Sequence, residues 1–353
     1  MEQFPLHLIC SLSKQIESRC NSSCILYTQK PVSSRFLLKV LFNGISSEQV
    51  FINFKSQIAN KKHLHRINMK RTRNVMNFLF ALFLSGASFA QSGKPVYTHP
   101  IGLQAYTFRG SWPKGIEATL DTIKSLGVTE MEGGPISGMS TEELRKQLDK
   151  RGIKMVSIGA DYKLLAQSAE ETIKNAKILG AKYVMVAWIP HKGAFDLATA
   201  KQAVEDFNKA GKALKEAGIT LTYHNHGYEF EPYEDGTLFD YLVKNTNPEY
   251  LSLEMDVLWT AFPGQDPAAL LLKYGKRWKL MHLKDLKKGV VGNLSGGTPT
   301  TNDVALGTGS IDIPAVLKAA KKVGVEHYFI EDESPSYLKQ IPQTIAYIKG
   351  IKE

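Results

Sequence analysis

The order of strand-like and helix-like segments predicts a closed (β/α)8 barrel, the TIM-barrel architecture, as a single domain over residues 95–353. Three observations predict it. Eight short apolar runs read as buried strands, at 101–107, 128–132, 154–158, 183–187, 220–224, 251–255, 279–283 and 327–330. Amphipathic segments alternate with them, at 116–126, 141–150, 169–179, 197–217 and 313–323, and several stop at Gly127, Gly152, Gly180, Gly218 or Gly324, where a helix C-cap favours glycine. Finally, eight such units in about 260 residues match the roughly 250 residues that a closed barrel takes. A doubly wound open sheet is the alternative. It would stop at fewer strands, and no Gly-x-Gly-x-x-Gly follows the first one.

The 353 residues, 43% hydrophobic and 22% charged, suit a globular chain. Its net charge of +10 is unevenly placed: residues 1–90 hold 12 Lys+Arg against 3 Asp+Glu, net +9, and residues 91–353 hold 32 against 31, net +1. The barrel is therefore nearly neutral and lacks the clustered cations of a nucleic-acid footprint. Cys10, Cys20 and Cys24 all precede it in a spacing that matches no zinc or disulfide pattern, and the cysteine-free remainder is compatible with an oxidising compartment.

Residues 1–68 show no sustained period and are expected to be an irregular, non-native or disordered extension. At Met69 the character changes. Lys70, Arg71 and Arg73 precede an apolar run over 75–84, then Ser85, Gly86, Ala87, Ser88, Phe89 and Ala90. This is the pattern of a signal peptide over 69–90, with cleavage expected after Ala90 and a natural start at Met69; it predicts a secreted or periplasmic protein. The run is too short to anchor the chain across a bilayer.

Charged residues are scarce along strands buried on both faces, yet here they gather at strand C-terminal ends. The second strand ends in Glu130-Met131-Glu132, the fifth in His224-Asn225-His226 with Glu229 beyond, the sixth in Glu254-Met255-Asp256, the seventh in His282-Leu283-Lys284-Asp285 and the eighth in Glu331-Asp332-Glu333. Side-chain alternation points His224 and His226 the same way. Carboxylates and imidazoles from successive strands suit one divalent ion, Mn, Mg, Co or Zn. Each residue also has a plainer reading: Lys284 and Asp285 as a surface ion pair, Asp332 and Glu333 as solvated, Glu130 and Glu254 as partners of helix lysines. The glycine-rich stretch 289–308 is expected to hang over the same mouth, and Tyr106, Phe108, Trp188 and Trp259 could stack on a sugar face or pack at the rim.

Leu103-Gln104-Ala105-Tyr106-Thr107, the His-Asn-His-x-x-Glu-Phe stretch, Glu254-Met255-Asp256-Val257-x-Trp259, His282-Leu283-Lys284-Asp285, Gly307-x-Gly309-x-Ile311-Asp312 and Phe329-Ile330-Glu331 occur in that order. Together they resemble the xylose-isomerase-like sugar phosphate isomerase/epimerase superfamily over about residues 97–353. The resemblance implies one divalent metal held by His224 or Glu229, then Asp256, His282 and Glu331. It departs at the fifth strand, where the ketose epimerases of the superfamily carry Glu and this chain has His224. Relatives with the His-Asn-His form include inosose-dehydratase-like and keto-glycoside-lyase-like proteins.

The expected chemistry is proton abstraction beside the carbonyl of a sugar or keto-sugar, giving an enediolate. Glu331 is placed as ligand and base, His226 or Glu132 as the opposing acid/base, and Lys284 as a polarising cation, with Tyr106, Trp188 and Trp259 as substrate contacts. The leading expectation is an exported isomerase or epimerase. A keto-glycoside lyase or dehydratase on the same barrel is the alternative, and a non-catalytic carbohydrate-binding barrel is the reading from another class. Export argues against a phosphorylated substrate, although the Gly307-x-Gly309 turn could hold an anion. A repair endonuclease of the same superfamily would need further histidines, and Trp259 stands three residues after Asp256 where one would be expected.

Overall fold

A computed structural model of the chain describes residues 93–353 and, before them, four short strands as backbone only. The chain divides into two units at Ala90. In the first, Arg35–Phe42 pairs antiparallel with Ile25–Thr28, Ile45–Ser46 and Val50–Asn53. The expected signal peptide over 69–90 lies outside the described residues, as does the rest of the expected extension.

The second unit is a closed parallel barrel. Its strands are β1 (Gly102–Gln104), β2 (Glu130–Gly133), β3 (Lys154–Gly159), β4 (Tyr183–Val186), β5 (Thr220–His224), β6 (Leu251–Asp256), β7 (Trp278–Leu283) and β8 (His327–Ile330). Each pairs with its neighbours in chain order, and β8 returns to β1 through Phe329↔Gly102 and Ile330↔Leu103. The helices α1 (Ile116–Ser125), α2 (Thr141–Arg151), α3 (Glu170–Leu179), α4 (Leu197–Glu216), α5 (Leu238–Asn245), α6 (Pro267–Tyr274), α7 (Ile313–Val323) and α8 (Tyr337–Gly350) complete the eight units. Short polar side chains start several of them. Ser140, Asp196, Asp266 and Asp312 each accept a backbone N–H of the first turn, and Thr237 forms a capping box with Asp240. At the other ends the five glycines named from sequence all take positive φ, which releases the chain toward the next strand.

Burial follows the alternation of strand side chains. Outward-facing Leu103, Met131, Val184, Leu221, Leu253, Met255 and Met281 pack beneath the helices in the main core. Inside the barrel, Val156, Tyr183, Leu280 and Phe329 form a separate apolar plug. Polar inward positions above that plug have nowhere to point but the C-terminal mouth. The N-terminal segment is pinned to the last residues through Val96 N–H to the Ile351 carbonyl (3.0 Å) and Glu353 N–H to that of Lys94 (3.0 Å). Among the described residues no helix is long and apolar enough to cross a membrane.

The first strand is shorter than expected. It stops at Gln104, and residues Ala105–Phe108 wind into a 3-10 turn because the Gln104 side chain accepts the N–H of Tyr106. The long stretch after β7 is also partly regular: Asp285–Leu286 pairs antiparallel with Asp303–Val304, so its two ends are clasped together.

Candidate metal centre and substrate cavity

Period-2 geometry on β5, β6 and β7 sends His224, Asp256 and His282 inward, with Asp256 directly opposite His282 in register and His224 opposite Glu254. All three are buried. Asp256 Oδ2 lies 3.7 Å from His224 Nε2 and 3.8 Å from His282 Nδ1, and it has no hydrogen-bond partner. Glu331 enters from the end of β8, with Oε2 3.0 Å from His282 Nδ1 and 3.2 Å from Lys284 Nζ. Donors bound to one ion at about 2.0–2.2 Å stand roughly 3–3.6 Å apart, close to the spacing seen here. The donor set of imidazole nitrogen and carboxylate oxygen around an orphaned, fully buried oxygen therefore fits a divalent cation.

His282 also looks downward. Its Nε2 is hydrogen-bonded to Glu132 Oε1 at 2.6 Å and lies 3.1 Å from Glu254 Oε1, while Glu132 Oε2 and both Glu254 oxygens lack hydrogen-bond partners. Five carboxylates, Glu132, Glu254, Asp256, Glu331 and Glu333, thus crowd around Lys284 and His282, a surplus of negative charge that is buried except at Glu333. The consequences for protonation are large. Burial, with the Glu132 charge next, pushes Glu254 up to about 8, and burial pushes Asp256 up to about 6. Burial works against charge on His282, but the carboxylates of Glu254, Glu331 and Glu132 outweigh it and hold the imidazole well above its usual range. Lys284 is likewise held charged, against burial, by Glu331 and Asp256. Burial favours the neutral form of Glu331, yet Lys284 and His282 overcome it and keep the carboxylate well below its ordinary value. His224 is pushed well down by burial and by the charge on His282. His226 falls to about 4, from burial and then from Lys284.

Above these donors lies a cavity of about 430 Å³. His224, His226, His282 and Glu331 line its reactive side, and Tyr106, Trp188 and Trp259 line its walls. His226 stacks on Trp259 with centroids 5.5 Å apart, and Lys284 Nζ lies 5.5 Å from the Trp259 centroid. Gly296, Gly297 and Thr298 close the rim, so the glycine-rich loop does hang over the mouth. A larger cavity of about 850 Å³, between the hairpin at Tyr233 and α5, shares no lining residue with the donors and holds no comparable cluster.

Several sequence-based placements need correction. Glu229 is not brought to the donors: its carboxylate turns back into its own loop, accepting the N–H groups of His226 (2.9 Å) and Gly227 (2.7 Å) and the hydroxyl of Tyr223. Gly227, at φ 96°, makes that reversal possible. Of the two fifth-strand candidates, His224 is the one that stands beside Asp256 and His282. Glu132 is buried beneath His282 and does not line the cavity, so it does not oppose Glu331 across a substrate. Phe108 packs in the core against Tyr337. Gly307 and Gly309 do hold an anion, but it is the protein's own: their N–H groups donate to Asp285 Oδ2 at 3.0 and 2.9 Å. Asp285 therefore faces away from Lys284. Two strand-end carboxylates given only plainer roles from sequence join the cluster: Glu254, below Asp256 and beside His282, pairs with no helix lysine, and Glu333 accepts from Lys284 at 2.7 Å. The spacing Glu254-x-Asp256 carried the signal for the first, since residues two apart share a strand face.

The family model described as "Xylose isomerase-like TIM barrel" matches residues 120–351. The chain belongs to that family. Among curated proteins it is similar to an inosose dehydratase of Bacillus cereus, 29% identical over 196 residues, a match covering 50% of this chain and 65% of that protein's length. Among solved structures it is similar to a sugar phosphate isomerase/epimerase from Parabacteroides distasonis ATCC 8503, with a TM-score of 0.59, 23% identity, and 74% and 95% of the two chains covered. It is also similar in fold to a xylose isomerase-like TIM barrel protein from Mycobacterium smegmatis in complex with magnesium, with a TM-score of 0.57, 18% identity, and 72% and 97% covered.

Proposed function

We propose that this chain is a divalent-metal-dependent enzyme that removes a proton next to the carbonyl of a sugar or keto-sugar, completing an isomerisation or epimerisation. The observation that carries the reading is the unpartnered Asp256 Oδ2 enclosed by His224, His282 and Glu331 at the floor of an aromatic-walled cavity. A divalent ion held by those four residues would supply Lewis-acid polarisation of the substrate oxygens. The remaining work falls to the chain. Glu331 is kept as a carboxylate by Lys284 and His282 and stands as the base at the floor. His226 is neutral at pH 7, with Nδ1 unpartnered, and suits receiving a proton from the other side. Trp259 and Trp188 offer flat faces to a ring.

A second reading, elimination by a lyase or dehydratase, rests on a specific observation. Neither Glu132 nor Glu229 faces the cavity, so the two opposed carboxylates of an epimerase are replaced by Glu331 and a neutral His226. The similarity to an inosose dehydratase supports the same branch. The basic, apolar, small-residue run over 69–90 supports export, and export favours an unphosphorylated substrate.

Incubation with free sugars and 3-keto-glycosides in deuterated water tests the proposal. Deuterium should enter one carbon beside the carbonyl, depend on added Mn or Co and stop with chelator; retained sugar indicates isomerisation, and loss of water or aglycone indicates the lyase. Asp256→Asn should weaken Mn binding at least about tenfold, read by equilibrium dialysis. No exchange with any substrate together with no Mn binding would reduce the protein to a sugar-binding barrel.

A further inference from the structure

A second cleft of about 580 Å³ adjoins the first, and Gln104 and Tyr106 line both. Its chemistry differs sharply from that of its neighbour. Tyr106, Trp112, Pro113, Pro135 and Ile136 give it flat apolar walls, and it contains no carboxylate or imidazole. Its one cation, Arg109, is already engaged: the guanidinium donates to the carbonyls of Tyr106 (3.2 Å) and Glu333 (2.8 Å) and lies 4.6 Å from the Tyr106 ring centroid. Trp112 is fixed by its indole N–H to the Ala105 carbonyl at 3.0 Å. Trp112 and Arg109 are therefore held by the chain itself, and the cleft offers flat apolar faces without a carboxylate or imidazole to act on a ligand.

Gly159 lines the same cleft. Gly159, the last residue of β3, has an ordinary negative-φ backbone, and a Cβ there would meet only the Gly133 carbonyl at 3.6 Å. Neither backbone strain nor crowding calls for glycine at this place; what glycine does is leave the cleft open.

We infer that the second cleft is a binding subsite for a second ring, presented by its apolar face and joined through a glycosidic oxygen to the sugar at the donor cluster. The substrate class is then a two-ring glycoside, not a free monosaccharide. This rests on the proposed sugar chemistry of the first cavity, and its test can fail separately.

Methyl and phenyl glycosides of glucose, galactose, mannose and xylose, with the matching disaccharides, are titrated calorimetrically into the Mn-loaded full chain. For the sugar that binds, the phenyl glycoside or the disaccharide should bind at least about tenfold more tightly than the methyl glycoside; which of the two gains tells whether the second ring is aromatic or a sugar. Gly159→Leu should erase that gain while leaving methyl glycoside and Mn affinities unchanged, and Trp112→Ala should reduce it without filling the cleft. Equal affinities for methyl and two-ring glycosides, no binding by any of them, or a gain that survives both substitutions would overturn the subsite. Loss of Mn binding alone would instead overturn the metal reading.

Discussion

Replacing Glu254 by glutamine tests whether the barrel stores a proton beneath His282. Its carboxyl is buried and, by burial first and the neighbouring Glu132 second, is raised from 4.5 to about 8. A carboxyl raised in the folded state binds its proton more tightly there than in the unfolded chain. It therefore weakens the fold progressively as pH climbs from about 4.5 to about 8, and the whole penalty is present above that. At pH 7, with each pKa unit worth about 1.4 kcal/mol, the penalty is about 3 kcal/mol. Glutamine keeps the shape, carries no charge at any pH and can donate its amide N–H to the unpartnered Glu132 Oε2. In chelator, the variant should melt roughly 6–12 °C above the parent at pH 7, with little difference near pH 5. Calorimetric or circular-dichroism melts every half unit from pH 5 to 8 would measure it. Parallel curves for the two proteins across that range would refute the reasoning, because a permanently neutral side chain cannot reproduce a titrating one.

Two more outcomes follow from the loops. Glu229→Ala leaves the N–H groups of His226 and Gly227 unpaired and should cost about 2–4 kcal/mol in urea unfolding; because Glu229 stands apart from the donors, Mn affinity should persist, and its loss would restore Glu229 as a ligand. Gly292→Ala would put a Cβ 1.4 Å from the Phe262 carbonyl oxygen, so the mouth loop must lift. Tryptic cleavage after Lys287 or Lys288 should quicken several-fold, and an unchanged digestion rate would show that the loop does not rest there.

Much of the barrel was legible because its signals are local. Strand periods and the positive-φ glycines at 127, 152, 180, 218 and 324 act within a few residues of where they stand. The donor cluster was legible for the same reason, since His224, Asp256, His282 and Glu331 are placed by strand ends. What escaped depends on depth and on the path of loops. Nothing in the five-residue step from His224 to Glu229 tells that Glu229 curls back onto the N–H groups before it, and nothing in Glu132 itself tells that His282 from across the barrel covers it. Glu254 and Glu333 looked ordinary because a carboxylate reveals its burial, or its cation partner, only once the neighbouring strands are in place. The first strand was overextended because a single Gln104 hydrogen bond to the next turn outcompetes the apolar run.

The clasp at the base of the mouth loop limits how a reactant can come and go. Asp285 and Leu286 are laced to Asp303 and Val304, and the Asp285 carboxylate is also tied to Gly307, Gly309 and Ile311. Such a loop cannot swing wide like a door on one hinge. Its crest instead rests on the wall of the cavity, with Gly292 against the Phe262 carbonyl and Gly296 against Tyr228 and Trp188. Because Asp285 follows Lys284 directly in the chain, any tug strong enough to loosen the clasp would be felt by the cation that keeps Glu331 ionised.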